Sequence, residues 1–188
     1  MLGAYTAFVV QSLMPQQVGL ALIISIPIAF FVAGSFGALI QYFVIRHLRG
    51  RPLETLLATF GVSLVLQQLA RTIFSPLNRQ VLSPDWMTGS LVINPIFSLT
   101  YNRLIIFFFA LFILTILQIT INKTSLGLKV RAVSQNREMA RALGIQTNRI
   151  DALTFALGSG IAGLAGVALS QLVNVGPNLG QAYLVDSF

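Results

Sequence analysis

The chain has 188 residues, of which 55% are hydrophobic and only 9% are charged, with a formal net charge of +7. A soluble domain carries about 25% charged residues because water must solvate its surface, so this composition excludes the soluble classes and predicts an integral membrane protein. The cations lie at the ends of apolar runs, which argues against nucleic-acid binding and favours contact with the anionic headgroups of membrane lipid.

The uncharged apolar runs translate into membrane spans, since a bilayer core about 30 Å thick needs about 20 helical residues. The first run, 1–14, is too short to cross and stops at Pro15, so it is interpreted as the end of a longer helix. Full spans are expected at 18–45, 53–74, 103–121 and 151–173. The expected fold is therefore all-α, a polytopic integral membrane helical bundle forming a single domain over 1–188.

The distribution of cations predicts the orientation of these spans, because cytoplasmic loops carry an excess of Lys and Arg. Nine of the twelve flank one side: Arg46, Arg49, Arg51, Lys123, Lys129, Arg131, Arg137, Arg141 and Arg149. Three flank the other: Arg71, Arg79 and Arg103. The basic loop 122–149 is therefore expected in the cytoplasm, where it offers a docking surface.

A polar stripe runs along the span 53–74. Thr55, Thr59, Ser63, Gln67 and Arg71 follow one another at intervals of four residues, which places them on one face of a helix. In one interpretation Thr59, Ser63 and Gln67 line the pathway of a small polar neutral solute. In the other, these groups only form hydrogen bonds to neighbouring helices.

The loop 122–149 contains the pattern of a short helix. Ser134 or Asn136 can cap it, Glu138 lies in its first turn, and Gly144 can take the left-handed conformation that ends it.

One side of that helix is predicted to be apolar. Met139, Ala142 and Leu143 fall at positions i, i+3 and i+4 and share a face. This face suits a groove in another protein, but a surface helix resting on anionic lipid has the same pattern.

The last span is rich in small residues. Gly158, Ala162 and Gly166 lie four apart, and Gly163 follows Ser159 at the same interval, which predicts a surface that another helix can approach closely. The span 18–45 has a similar series in Ala29, Ala33 and Gly37. The two surfaces are expected to pack on each other or on a second subunit.

Catalytic, metal and cofactor sites are not predicted. The sequence has no cysteine and one histidine, His47, in a basic loop without a partner for metal binding or nucleophilic chemistry. It contains no nucleotide-binding loop, and no acidic residue lies near the centre of a span, as proton or sodium coupling would require. Any energy for transport must therefore come from a separate chain.

Several stretches carry a family pattern: RAVSQNREMARALG (131–144), DALTFALGSGIAGLAG (151–166), NVGPNLGQAYLVDSF (174–188) and, more weakly, RPLETLLATFGVSLVLQQLA (51–70). Glu138, Ala140 and Gly144 match the glutamate, alanine and glycine of the loop by which ABC importer permeases engage their ATPase subunits, with Met139 replacing the middle alanine. Together the stretches resemble the branched-chain amino acid and urea permease family, and 174–188 most resembles its urea-transport members.

This resemblance implies a multi-pass permease subunit of an ATP-driven importer in the inner (plasma) membrane, carrying urea or a similar small amide. A branched-chain amino acid permease and a non-transporting scaffold or remnant are the alternatives, and the chain is expected to be truncated at both ends. The implied partners are ABC ATPase subunits, a second permease subunit and an extracytoplasmic solute-binding protein. The implied ATPase-coupling residues are Arg137, Glu138, Met139, Ala140, Arg141, Leu143 and Gly144.

Overall fold

The computed structural model describes residues 1–48, 51–74, 81, 84, 89–94 and 97–186. Arg49 and Arg79, two of the cations used to predict the orientation, lie outside this part. The helices are α1 (Leu2–Leu13), α2 (Val18–Ile40), α3 (Pro52–Phe74), α4 (Tyr101–Lys123), α5 (Ser125–Gln135), α6 (Arg137–Ala142), α7 (Thr147–Ser170) and α8 (Leu179–Asp186). Two strands, β1 (Ser90–Asn94) and β2 (Phe97–Thr100), precede α4, and α2 continues as a π-helical segment over Gln41–Ile45.

Helices α1, α2 and α7 form the packed centre of the molecule, and their small residues make this possible. A Cβ placed on Gly163 of α7 would lie 2.6 Å from the Ala33 Cβ and 2.8 Å from the Ala29 carbonyl oxygen of α2. A Cβ on Gly3 of α1 would overlap the Gly163 backbone. Each helix therefore approaches its neighbour at backbone distance, which maximises dispersion contacts in a solvent as apolar as the helices.

Helices α3 and α4 lie outside this centre. In α4 no residue is buried, and Phe107, Phe108 and Phe112 are 59%, 63% and 63% exposed. In α3 the side chains of Leu53, Leu57 and Ile73 are likewise exposed. Four helical stretches, among them α3 and α4, are long and apolar enough to cross a membrane, so these exposed side chains face lipid or another subunit.

The basic loop 122–149 contains a helix, α5, that the sequence analysis did not predict. The Thr124 side chain caps it by accepting a hydrogen bond from the Gly127 amide at 3.4 Å. A Cβ on Gly127 would overlap the Ile121 carbonyl group, so glycine allows the sharp corner between α4 and α5.

The prediction of an all-α membrane bundle is confirmed for the spans and needs one correction in the loop before α4. There, β1 and β2 pair as an antiparallel hairpin with Ser90 opposite Thr100, and an irregularity lies between Val92 and Asn94. The prediction missed this hairpin because a two-stranded ribbon lacks the long periodic pattern that identifies a helix.

Candidate partner-binding surface and membrane cavity

The short helix predicted in the basic loop 122–149 is confirmed as α6, Arg137–Ala142. Of the two candidate caps, Asn136 is the one used: its Oδ1 accepts from the Met139 amide at 3.0 Å. The Ser134 hydroxyl instead donates to the Arg131 carbonyl at 2.9 Å. Gly144 has φ +80°, and its amide donates to the Arg141 carbonyl at 2.9 Å, which closes the turn after the helix.

One side of α6 is anchored and the other is open. Ala140 is 2% exposed and packs against Val133 of α5 and Ile150 of α7. Met139 is 59% exposed and Leu143 is 74% exposed. Two large apolar side chains thus stand on the outer surface of a helix that is fixed from behind, and exposed apolar groups of this kind mark binding surfaces. We call Glu138, Met139, Ala142 and Leu143 the α6 face.

A polar network ties α6 to the first turns of α7. Arg137 donates from Nη2 to Asp151 Oδ2 at 2.6 Å, and the two side chains are 34% and 26% exposed. The same Arg137 nitrogen lies 3.4 Å from Thr147 Oγ1, to which Arg141 donates from Nε at 3.2 Å. Thr147 itself is 3% exposed. The sequence predicted the residues of α6 but not this link, which joins positions fourteen residues apart.

The structure places two of the three predicted pathway residues at a cavity of about 370 Å³. Ser63 and Gln67 of α3 form part of its wall, opposite Gly37 of α2 and Ser159 of α7. Thr59 does not line this cavity, although it is half-buried on the same stripe. The remaining wall is largely apolar and includes Phe36, Ile40, Phe60, Leu66 and Phe155.

The hydroxyl groups of Thr59 and Ser63 form hydrogen bonds within α3, whereas Thr55 at its start also donates to the Leu48 carbonyl before the helix at 3.1 Å. Thr59 Oγ1 donates to the Leu56 carbonyl at 3.0 Å, and Ser63 Oγ donates to the Phe60 carbonyl at 2.7 Å. These two hydroxyl groups therefore donate within α3. The Ser63 hydroxyl and the Gln67 amide lie in the cavity wall, where their oxygen atoms can accept hydrogen bonds.

The predicted small-residue series of α7 lies only partly in the contact with α1 and α2. Gly163 and Gly166 lie in the helix contact: a Cβ on Gly166 would be 3.0 Å from the Ala4 amide nitrogen. Gly158 has nothing within 4 Å of an added Cβ, and Ala162 is exposed and lines cavities. Gly160, which the prediction omitted, packs against the Phe30 ring instead. The contact residues Gly160, Gly163 and Gly166 are spaced by three, with Gly160 and Gly163 facing α2 and Gly166 facing α1.

Gln41 is a second residue that the sequence interpretation missed. It lies in the π-helical segment and is 3% exposed. It lines two cavities of about 690 and 500 Å³ between that segment, the basic loop 122–149 and α7. Its amide is a rare polar group inside a long apolar run, and π-helical turns are frequent at functional sites. The polar residue within the apolar run is the sequence signal that could have identified it. Within the described ranges, no cluster of three potential metal-ligating side chains occurs.

Comparison with known proteins gives one family over the whole chain. The family described as "Branched-chain amino acid transport system / permease component" matches residues 1–188. The high-affinity branched-chain amino acid transport system permease protein BraD of Pseudomonas aeruginosa is 28% identical, covering 96% of this chain and 61% of BraD. The corresponding LivH protein of Escherichia coli K12 is 29% identical, covering 93% of this chain and 59% of LivH.

The chain thus spans about 60% of the length of the curated relatives it matches. No solved structure gives a significant match. The names of these relatives describe transport permeases, and the described part of the chain contains four helices long and apolar enough to cross a membrane. The predictions of a multi-pass membrane location and of a non-enzymatic role are confirmed. The predicted likeness to urea transporters in particular is not among these matches.

Proposed function

Because the chain belongs to the family of branched-chain amino acid transport permease components, we propose that it is a pore-forming subunit of an ATP-driven importer of branched-chain amino acids. The proposed energy source is a separate ATPase, which contacts the chain from the cytoplasm. A second permease subunit and an external solute-binding protein complete the proposed assembly.

The α6 face is the observation that carries the ATPase contact. Met139 and Leu143 are exposed apolar side chains on a helix whose other side is held by Ala140 and by the ion pair between Arg137 and Asp151. If the ATPase displaced a mobile loop, the movement would mainly deform the loop itself. An anchored helix passes the displacement to α7, which packs on α2 and lines the membrane cavity.

The mixed lining of the cavity supports an amphipathic substrate. A branched-chain amino acid has an apolar side chain and a charged backbone, so it can use both the Phe and Leu wall and the Ser63 and Gln67 groups. Urea has only donors and acceptors and would gain little from the apolar wall. The printed names of BraD and LivH specify branched-chain amino acids, which supports the same choice.

Urea is the second candidate substrate, and the polar stripe of α3 is the observation that favours it. Ser63 and Gln67 can exchange hydrogen bonds with a small amide as it sheds water. Uptake of radiolabelled leucine and urea by the complete importer in proteoliposomes separates the candidates. ATP-dependent uptake of leucine is expected, and uptake of urea alone would overturn the amino-acid assignment.

The ATPase contact is tested by placing a charge on the α6 face. Leu143→Asp should abolish co-purification of the ATPase subunits, because a carboxylate would replace a large apolar group at the centre of the contact. Leu128→Asp on α5 is the matched control, since Leu128 is 72% exposed in the same loop but lies outside the α6 face. Equal recovery of ATPase with both variants would contradict the proposed contact, as would its absence from the wild-type complex.

A further inference from the structure

Arg71 is a half-buried cation inside a span. It lies in the last turn of α3, one turn beyond Gln67, and continues the polar stripe that lines the cavity. A charged side chain in a membrane span is costly, and proteins retain such groups mainly where they contact substrates, ions or partner charges.

No carboxylate is paired with Arg71 within the described part of the chain, where the ion pairs are Arg51–Glu54 and Arg137–Asp151. The Arg71 guanidinium donates from Nη2 to the neutral Asn178 Oδ1 at 2.8 Å. A guanidinium carries five N–H donors in a planar fork, so this bond uses only one of them. Among the described residues, no carboxylate balances the Arg71 charge.

The position of Asn178 places this group at the edge of the cavity. Pro177, Gly180 and Gln181, which surround Asn178 in the chain, all line the cavity wall. Arg71 and Asn178 do not themselves form the cavity wall, but their hydrogen bond holds the guanidinium next to this part of the wall, one helical turn from Gln67.

A second unsatisfied group lies against the same turn of α3. Tyr5 is 3% exposed, and its hydroxyl has no hydrogen-bond partner in the described structure. Its ring stacks on Phe74 with centroids 4.6 Å apart and belongs to a cluster with Ala70. Ala70 and Phe74 flank Arg71 on the helix. A buried hydroxyl without a partner costs free energy unless a bound molecule satisfies it.

From these observations we infer that Arg71, with the Tyr5 hydroxyl as a further donor, binds the carboxylate of an amino-acid substrate at the outer end of the cavity. The inference rests on the proposed function and extends it by naming the group that recognises the substrate. A planar guanidinium matches a carboxylate through two parallel hydrogen bonds, and a tyrosine hydroxyl can donate a third. Urea has no carboxylate, so this site selects amino acids over urea.

The test uses the complete importer in proteoliposomes, with leucine delivered by its solute-binding protein and ATP inside. Arg71→Gln should lower leucine uptake about tenfold or more, because the charge-assisted hydrogen bonds are lost. Arg71→Lys should keep part of the uptake, since it retains the charge but not the fork. Tyr5→Phe should cause a smaller loss of about two- to fivefold. Stimulation of ATP hydrolysis by the loaded binding protein should persist in all three variants.

Two further variants separate substrate recognition from a structural role. Arg103→Gln removes an exposed cation from the outer end of α4 and should leave uptake unchanged. Asn178→Ala breaks the bond that fixes Arg71 but leaves its charge, so the loss of uptake should be smaller than in Arg71→Gln.

Three outcomes would overturn the inference. Unchanged leucine uptake in Arg71→Gln would do so and would leave the proposed function intact. Equal losses of uptake and ATPase stimulation in Arg71→Gln, Arg71→Lys and Asn178→Ala would show that Arg71 only fastens α3 to the segment around Asn178. Absence of leucine uptake by the wild type would overturn the inference together with the proposed function.

Discussion

Helices α4 and α7 have nearly the same length but opposite surroundings. α4 is a continuous series of Phe, Ile and Leu and buries no residue, whereas α7 is richer in Gly and Ala and buries Gly160, Gly163 and Gly166 among others. In water the more apolar helix would be the more buried one. In lipid that driving force between helices is absent. Small side chains therefore allow helices to pack closely, whereas apolar side chains allow a helix to insert into the membrane. Hydropathy therefore identifies which segments span the membrane, and side-chain size identifies which of those helices pack against other helices.

The strongest test of this comparison is to enlarge a small residue on each helix. Gly163→Leu should prevent assembly of the importer, because the new side chain would overlap Ala33 and Ala29 of α2. Overpacking of a well-packed contact costs about 1–3 kcal/mol, and more where backbone must move. Ala110→Leu, at an exposed position on α4, is the matched control and should assemble normally. Complex yield and thermal stability in detergent measure both, and normal assembly of Gly163→Leu would refute the packing account.

The next test breaks the link between α6 and α7 without altering the α6 face. Arg137→Ala should leave ATPase binding largely intact and should lower leucine-dependent ATP hydrolysis and uptake several-fold. The pair is partly exposed, so its loss should cost about 1–2 kcal/mol.

The double variant of this pair shows whether the two residues act together. Arg137→Ala combined with Asp151→Ala should lower uptake little more than Arg137→Ala alone, because residues in one network give non-additive losses. Fully additive losses would show that the ion pair does not transmit the coupling.

A third test compares two adjacent glutamines on α3. Gln67 lines the cavity, whereas Gln68 is exposed on the other side of the helix. Gln67→Leu should lower uptake a few-fold at normal expression, because about 1 kcal/mol of hydrogen bonding to the moving solute is lost. Gln68→Leu should have no effect on transport. Unchanged uptake kinetics in both variants would remove Gln67 from the pathway.

The smallest effect is expected on the lipid side of α4. Phe112→Leu exchanges one exposed apolar side chain for another and should change the stability of the complex by no more than about 0.5 kcal/mol. A large loss of complex would show that Phe112 contacts a second subunit instead of lipid.

The sequence predicted those parts of the molecule that depend on local patterns. Spacing within one short helix predicted the closing Gly144 and the apolar face with Met139 and Leu143, and it indicated Asn136 as one of two candidate caps. The inward position of Ser63 and Gln67 follows in the same way from a repeat of four along α3.

The features that the sequence could not predict join residues that are distant in the chain. Arg71 meets Asn178 across 107 positions, and Gly160 meets Phe30 of another helix. The choice between Gly158 and Gly160 as a packing residue depends on the crossing angle of α2 and α7, which periodicity in one helix does not contain. The helix α5 lies within the basic loop 122–149 and lacks a long apolar run, so the sequence pattern did not predict it.

The proposed mechanism requires that the α6 face points into the cytoplasm and is covered by an ATPase. The chain has no cysteine, so Met139→Cys introduces a unique thiol at an exposed position of that face. A membrane-impermeant maleimide should label it in inside-out vesicles and not in right-side-out vesicles, and bound ATPase should protect it. Labelling from the external side, or labelling that the ATPase leaves unchanged, would contradict the account.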